Sequence, residues 1–195
     1  MMKKLAYLSI AAASLFAIAS PAAAQTTTGT VNITGTVAPK CLVVPGAGST
    51  FGTTVALGEL AQADGTLATD LATRFSSIGG TGLEARVVCT SAAPTIAVDA
   101  TQITSATTPT TGYANRIDYT AHVFVDTTST NDVEFTNSSL NAPLAATPIG
   151  GRLANNGGNN ITITATNFAT PAATDLLVAA TDYSGQIVVL IAPGA

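Results

Sequence analysis

The sequence predicts an all-β fold, a sandwich or a barrel, and three observations predict it. Only 9% of the 195 residues are charged, Trp is absent, and Thr, Ala, Gly, Asn and Val crowd the chain. Short apolar runs alternate with clusters of turn formers, the pattern of many short strands. Helical periodicity is weak throughout, and the nearest exception, residues 59–78, suits a short helical turn or a loop equally.

The elements follow in order. Residues 1–24 read as a secretory signal peptide: Met1-Met2-Lys3-Lys4 is a basic start, residues 5–19 are an almost uninterrupted apolar run, and Ala22-Ala23-Ala24 offers a cleavage site. An uncleaved N-terminal anchor is the alternative, but the Ala-x-Ala site followed by Gln25 favours cleavage. The mature chain then starts at Gln25, holds 171 residues and fits one domain. No later window approaches the roughly 18 apolar residues of a membrane helix, so no membrane insertion is expected after cleavage.

Residues 30–37, Thr30-Val31-Asn32-Ile33-Thr34-Gly35-Thr36-Val37, alternate polar and apolar without a break, the signature of a half-buried strand. Cys41-Leu42-Val43-Val44 is a short strand closed by Pro45-Gly46, and residues 51–57 read as another before Gly58. Residues 83–89 read as one strand, with Leu83, Ala85, Val87 and Cys89 inward and Glu84 and Arg86 outward. Residues 95–98 follow Pro94, and a Thr-rich loop leads to the clearest strand, residues 117–125, whose odd positions are all apolar while Asp118, Thr120 and His122 take the other face. Residues 161–165 and 176–179 are two more strands. The last, residues 182–191, ends apolar on both faces, which suits a strand in the middle of a sheet and calls for a neighbour on each side.

Two cysteines remain in the mature chain, Cys41 and Cys89, and an exported chain meets an oxidising compartment, so a disulfide between them is expected. A metal or redox pair is the competing reading, but neither has a second Cys or a His near it in sequence. After residue 24, five basic residues face eleven acidic ones, a formal net charge of −6. With no Lys/Arg cluster in the mature chain, that balance argues against a nucleic-acid partner.

Chemistry-bearing motifs are thin. His122 is the one His, and with neither a G-x-S-x-G elbow nor an S-x-x-K motif it reads as a structural strand residue, so no catalytic residue is assigned. Scattered carboxylates do not by themselves exclude a glycosidase pair, although aromatic residues for sugar stacking are few. Zinc lacks its ligand cluster. Asp126, Asn131, Asp132 and Glu134 could offer oxygens to calcium, but their spacing fits no EF-hand and reads as a hairpin connection. Phosphate-cradling motifs are absent too, so neither metal nor cofactor is expected. Three N-x-[ST] sequons, at Asn32, Asn137 and Asn160, arise easily by chance in a Thr-rich chain.

Together the leader, the alternating Thr/Val segment before the first Cys, a second Cys ending an apolar strand, and the terminal Asp182-Tyr183-x-Gly185-x-Ile187-Val188-Val189 strand resemble the spore coat protein U family. That family includes subunits of archaic chaperone-usher pili, and the resemblance covers the whole mature chain. It implies an incomplete immunoglobulin-like β-sandwich over residues 39–195, lacking its last strand and leaving a groove beside Ile187, Val188, Val189, Leu190 and Ile191. It further implies that a periplasmic chaperone fills this groove first, and that in the fibre the N-terminal segment of the next subunit, residues 25–38, replaces it. Val31, Ile33 and Val37 would then fill the groove, with Gly35 at a shallow pocket and Thr30, Asn32, Thr34 and Thr36 outward. Only Ala38-Pro39-Lys40 separates this segment from Cys41, a short hinge between fibre neighbours.

Alternation alone does not distinguish a donated strand from one that pairs within its own chain. The resemblance therefore implies first a structural subunit of a surface pilus or coat fibre, exported through the periplasm, assembled with identical or related subunits by way of an outer-membrane usher, and serving adhesion or biofilm formation. The alternative is a secreted, monomeric β-sandwich module that binds a surface glycan or protein. An enzyme ranks last.

Overall fold

A computed structural model of the chain describes residues 29–44, 49–76 and 83–194; the expected leader, residues 25–28 and Ala195 lie outside them. The chain divides into an N-terminal unit ending at Thr36 and a body running from Val37. In the N-terminal unit residues 29–36 belong to no strand and are exposed.

The body is β-rich, with eleven strands and one short helix among the described residues. Its long strands contain runs in which every second residue is apolar, such as residues 96–100, 117–125 and 161–165. Strand β4 (Thr95–Thr104) is flanked on one side by β11 (Ser184–Ala192), with Ile187 opposite Ala100 and Ile191 opposite Ile96. Its other side is shared between β8 (Leu144–Pro148) and the start of β6 (Arg116–Val125). Strand β6 lies between β7 (Val133–Ser138) and β9 (Ile161–Ala169), and β2 (Leu83–Ala85) pairs with β9 beyond it. All these pairings are antiparallel. One core joins the two groups: Ile96 and Val98 from β4, Ala121, Val123 and Val125 from β6, and Ile161 from β9 are fully buried. A small parallel pair, β5 (Tyr113–Ala114) with β10 (Leu176–Leu177), and the helix α1 (Leu71–Ser76) complete the body.

The odd positions of residues 117–125 are all buried, as alternation demands, and residues 126–132 form the expected hairpin connection, in which Asp132 N donates to Asp126 Oδ1 at 2.9 Å. Three expectations need correction. Residues 51–57 form no strand, because no described segment offers them a ladder partner. The strand expected over residues 83–89 breaks at Arg86 into β2, paired with β9, and β3 (Val87–Cys89), paired with β1 (Cys41–Val43). Asn160 spans the break: Val87 N donates to its Oδ1 at 2.8 Å, and its Nδ2 donates to Val87 O at 2.7 Å and Ala154 O at 2.8 Å. Finally, β11 is an edge strand. Among the described residues it pairs with β4 alone, and its apolar residues on both faces do not reflect a central position.

Cys41 and Cys89 face each other across β1 and β3 and form the disulfide, 48 residues apart in sequence. A bond between cysteines in an oxidising compartment is the ordinary case. We expect the Cys41→Ser/Cys89→Ser double variant to lose roughly 4 kcal/mol of unfolding free energy in the chain-entropy treatment. Urea unfolding with and without reductant measures it, and an unchanged midpoint would show that the bond constrains nothing.

Candidate functional site

The edge position of β11 creates the most distinctive site of the body. Beyond it the sheet stops, and an open groove of about 1440 Å³ runs between β11 and residues 50–61. Its floor is the core itself: Phe75, Leu83, Ile103, Tyr119, Ile163 and Phe168 line it. Along β11, Ile187, Val189 and Ile191 pack against the core, whereas Val188 and Leu190 stand on the opposite face, 43% and 61% exposed. This is period-2 alternation on an apolar strand. Of the five terminal-strand residues singled out from sequence, three therefore face inward and two outward.

The opposite wall has no ladder of its own. Thr50 ties its start to β2 through N and Oγ1, both donating to Glu84 O at 2.7 and 3.0 Å. Further along, Arg74 of α1 holds it: the guanidinium donates to the carbonyls of Leu57 and Glu59 and pairs with Asp70 at 2.7 Å. Glu59 is the only charged residue among those lining the groove. A slot with an apolar floor and mixed walls, bounded by strand-edge backbone, suits an extended, alternating peptide better than a charged or compact ligand.

Tyr119 fixes the end of the groove where β11 begins. Its hydroxyl donates to Gln186 O at 3.0 Å and its ring stacks on Phe168, centroids 5.6 Å apart. There the β11–β4 ladder is irregular, and Gln186 N donates to Thr101 Oγ1 at 2.9 Å. Gly185 permits the approach, since a Cβ there would meet Ile103 Cγ1 at 2.8 Å. Burial, with the Asp99 charge adding to it, pushes the Tyr119 phenol up to about 12 from its ordinary 10.0. The folded state holds this proton more tightly than the unfolded chain. The stability it contributes is thus complete below pH 10.0 and is lost as pH rises towards about 12. We expect the last tyrosine to ionise in an ultraviolet titration to disappear in Tyr119→Phe; if it persists, the assignment fails.

The other residues singled out from sequence are placed as follows. Val31, Ile33 and Val37 are 85%, 90% and 77% exposed, and Gly35 has nothing within 4 Å of where a Cβ would stand. His122 lies on the face of β6 away from the core, its Nδ1 2.6 Å from Glu134 Oε1 and its Nε2 2.8 Å from Thr166 Oγ1. Among the described residues no group of three or more His, Cys, Asp or Glu is arranged to hold a metal ion. Two of the sequon asparagines, Asn137 and Asn160, are buried hydrogen-bond hubs; Asn137 accepts from Ala100 N and donates to Ala142 O, both at 2.9 Å. The resemblance implies a groove beside the terminal strand, but the residues of its floor are beyond sequence reasoning, because they come from five separate elements. No protein-family model matches this chain, and no curated protein matches it either.

Proposed function

We propose that this chain is a structural subunit of a surface pilus or coat fibre, an incomplete immunoglobulin-like β-sandwich that polymerises by donating residues 30–37 to the groove of the next copy. The observation that carries the reading is the open groove, apolar along its floor, beside the free edge of β11. Residues 184–189 of β11 line the groove, an edge roughly 20 Å long, along which about six residues of the arm can lie. The arm has the matching chemistry: apolar side chains at every second position, none of them buried in its own chain.

Burying Val31, Ile33 and Val37 at about 1.5–3 kcal/mol each offers roughly 5–9 kcal/mol before ordering costs, and a backbone ladder adds to it. Strand addition supplies adhesion through the backbone and register through alternate side chains. In this reading the subunit is exported through the periplasm, where a chaperone covers the groove until an outer-membrane usher brings the next subunit. Its partners are identical or related subunits, and its role is adhesion or biofilm formation without catalysis. The disulfide is consistent with an oxidising compartment.

Electrophoresis in SDS of surface material sheared from cells carrying this gene and its genomic neighbours tests the reading. We expect a ladder of multiples in unheated samples that collapses to one band on boiling. A single band under both conditions overturns it and points to a monomeric binding module.

A further inference from the structure

The three residues between the alternating arm and Cys41 would form a swinging linker if nothing held them. Pro39 has no N–H to give to a ladder, so a strand should fray there. A single side chain instead takes the polar groups on both sides of Pro39: Lys40 N donates to Thr90 Oγ1 at 3.0 Å, and Thr90 Oγ1 donates to Ala38 O at 3.2 Å. The Thr90 backbone is engaged as well. Its N–H donates to Lys40 O at 2.9 Å, and its carbonyl accepts from Arg152 Nη1 at 3.1 Å. One residue earlier the chain is bonded covalently to Cys41 through Cys89. A hydroxyl is required at this position, because it must accept from one amide while donating to another carbonyl.

We propose that Thr90 is a positioning residue for the arm: by strapping Ala38 and Lys40 to the body it moves the pivot from Cys41 out to Val37. This rests on the reading of residues 30–37 as a donated strand. A donor whose free linker has shrunk from three residues to almost none holds its own body hard against the acceptor, so successive bodies keep a short, constant separation and the fibre resists bending.

The test uses the full chain and two readouts. In the monomeric protein, amide exchange at Lys40 is expected to rise about tenfold in Thr90→Val, which keeps the shape but loses the hydroxyl, and to stay at the parent rate in Thr90→Ser. Amides of β6 should not change in either. Arg152→Met, which releases only the Thr90 carbonyl, should raise Lys40 exchange by a smaller factor. In fibres sheared from cells, Thr90→Val should leave the SDS ladder intact while shortening the persistence length in electron micrographs by about twofold. An unchanged Lys40 exchange rate in Thr90→Val, or fibres as straight as the parent's, overturns the strap. Absence of a ladder from the parent overturns strand donation instead, and amide exchange then decides the strap alone.

Discussion

Replacing Asn160 with Ala is expected to lower the unfolding free energy by roughly 3–5 kcal/mol, although Asn160 reads as one of three chance sequons in the sequence. The side chain is 2% exposed and makes three hydrogen bonds to backbone, at 2.7 to 2.8 Å. Its place explains the cost. Strand β2 pairs with β9 as far as Ala85 opposite Ile161, after which the chain turns away to pair Val87 with Val43. At that junction Val87 N and O have left one ladder, and the Asn160 amide imitates the missing rung with one acceptor and one donor. Alanine would leave Val87 N and Val87 O buried, and Ala154 O half-buried, without those partners, and each buried group so left costs about 1–3 kcal/mol. Thermal melting should fall by about 10 °C for a domain of this size. The neighbouring Asn159→Ala serves as control, because Asn159 donates to Glu84 Oε2 at 2.7 Å in a half-buried setting and its loss should cost about 1 kcal/mol. Equal effects at the two positions would show that the strand junction does not depend on the amide.

What could be read from sequence follows from what alternation can and cannot carry. Strand β6 is legible because each of its odd positions is apolar and each meets the core. Strand β7 has the same period but carries a buried Asn137 where a third apolar residue would stand, and a hydrogen-bonding hub looks like a loop residue in a linear pattern. The second half of β4 is hidden for a related reason: Thr101 and Gln102 bond to Gln186 and Asp118, partners 85 and 16 residues away. The two misread segments are instructive together. Residues 51–57 have strand composition and no ladder, and β11 has the apolarity of a central strand and sits at an edge. They are the two walls of the groove. Local composition there carries more strand character than the ladders among the described residues use.

Ile33→Asp is predicted to abolish polymer formation while leaving the isolated body as stable as the parent. Ile33 is 90% exposed, so in the monomer the substitution removes no buried contact and should stay within about 0.5 kcal/mol. In a groove whose floor is Phe75, Leu83, Ile163 and Phe168 the same change forfeits about 2–3 kcal/mol of aliphatic burial and adds the penalty of desolvating a carboxylate. A loss of even 4 kcal/mol is about a thousandfold in the joint's equilibrium constant. Thr34→Asp is the decisive comparison, since alternation turns residue 34 to the opposite side of the donated strand, where a charge meets water. Melting temperatures of both monomers should match the parent, and unheated SDS ladders should vanish for Ile33→Asp and persist for Thr34→Asp. Ladders surviving Ile33→Asp would remove Ile33 from the groove. Loss of both ladders would mean that charge anywhere on the arm blocks assembly and that period-2 insertion is not how the arm is read. A drop in monomer stability with Ile33→Asp would instead assign the arm to its own chain's sheet, because only a side chain already packed in the monomer can be missed there.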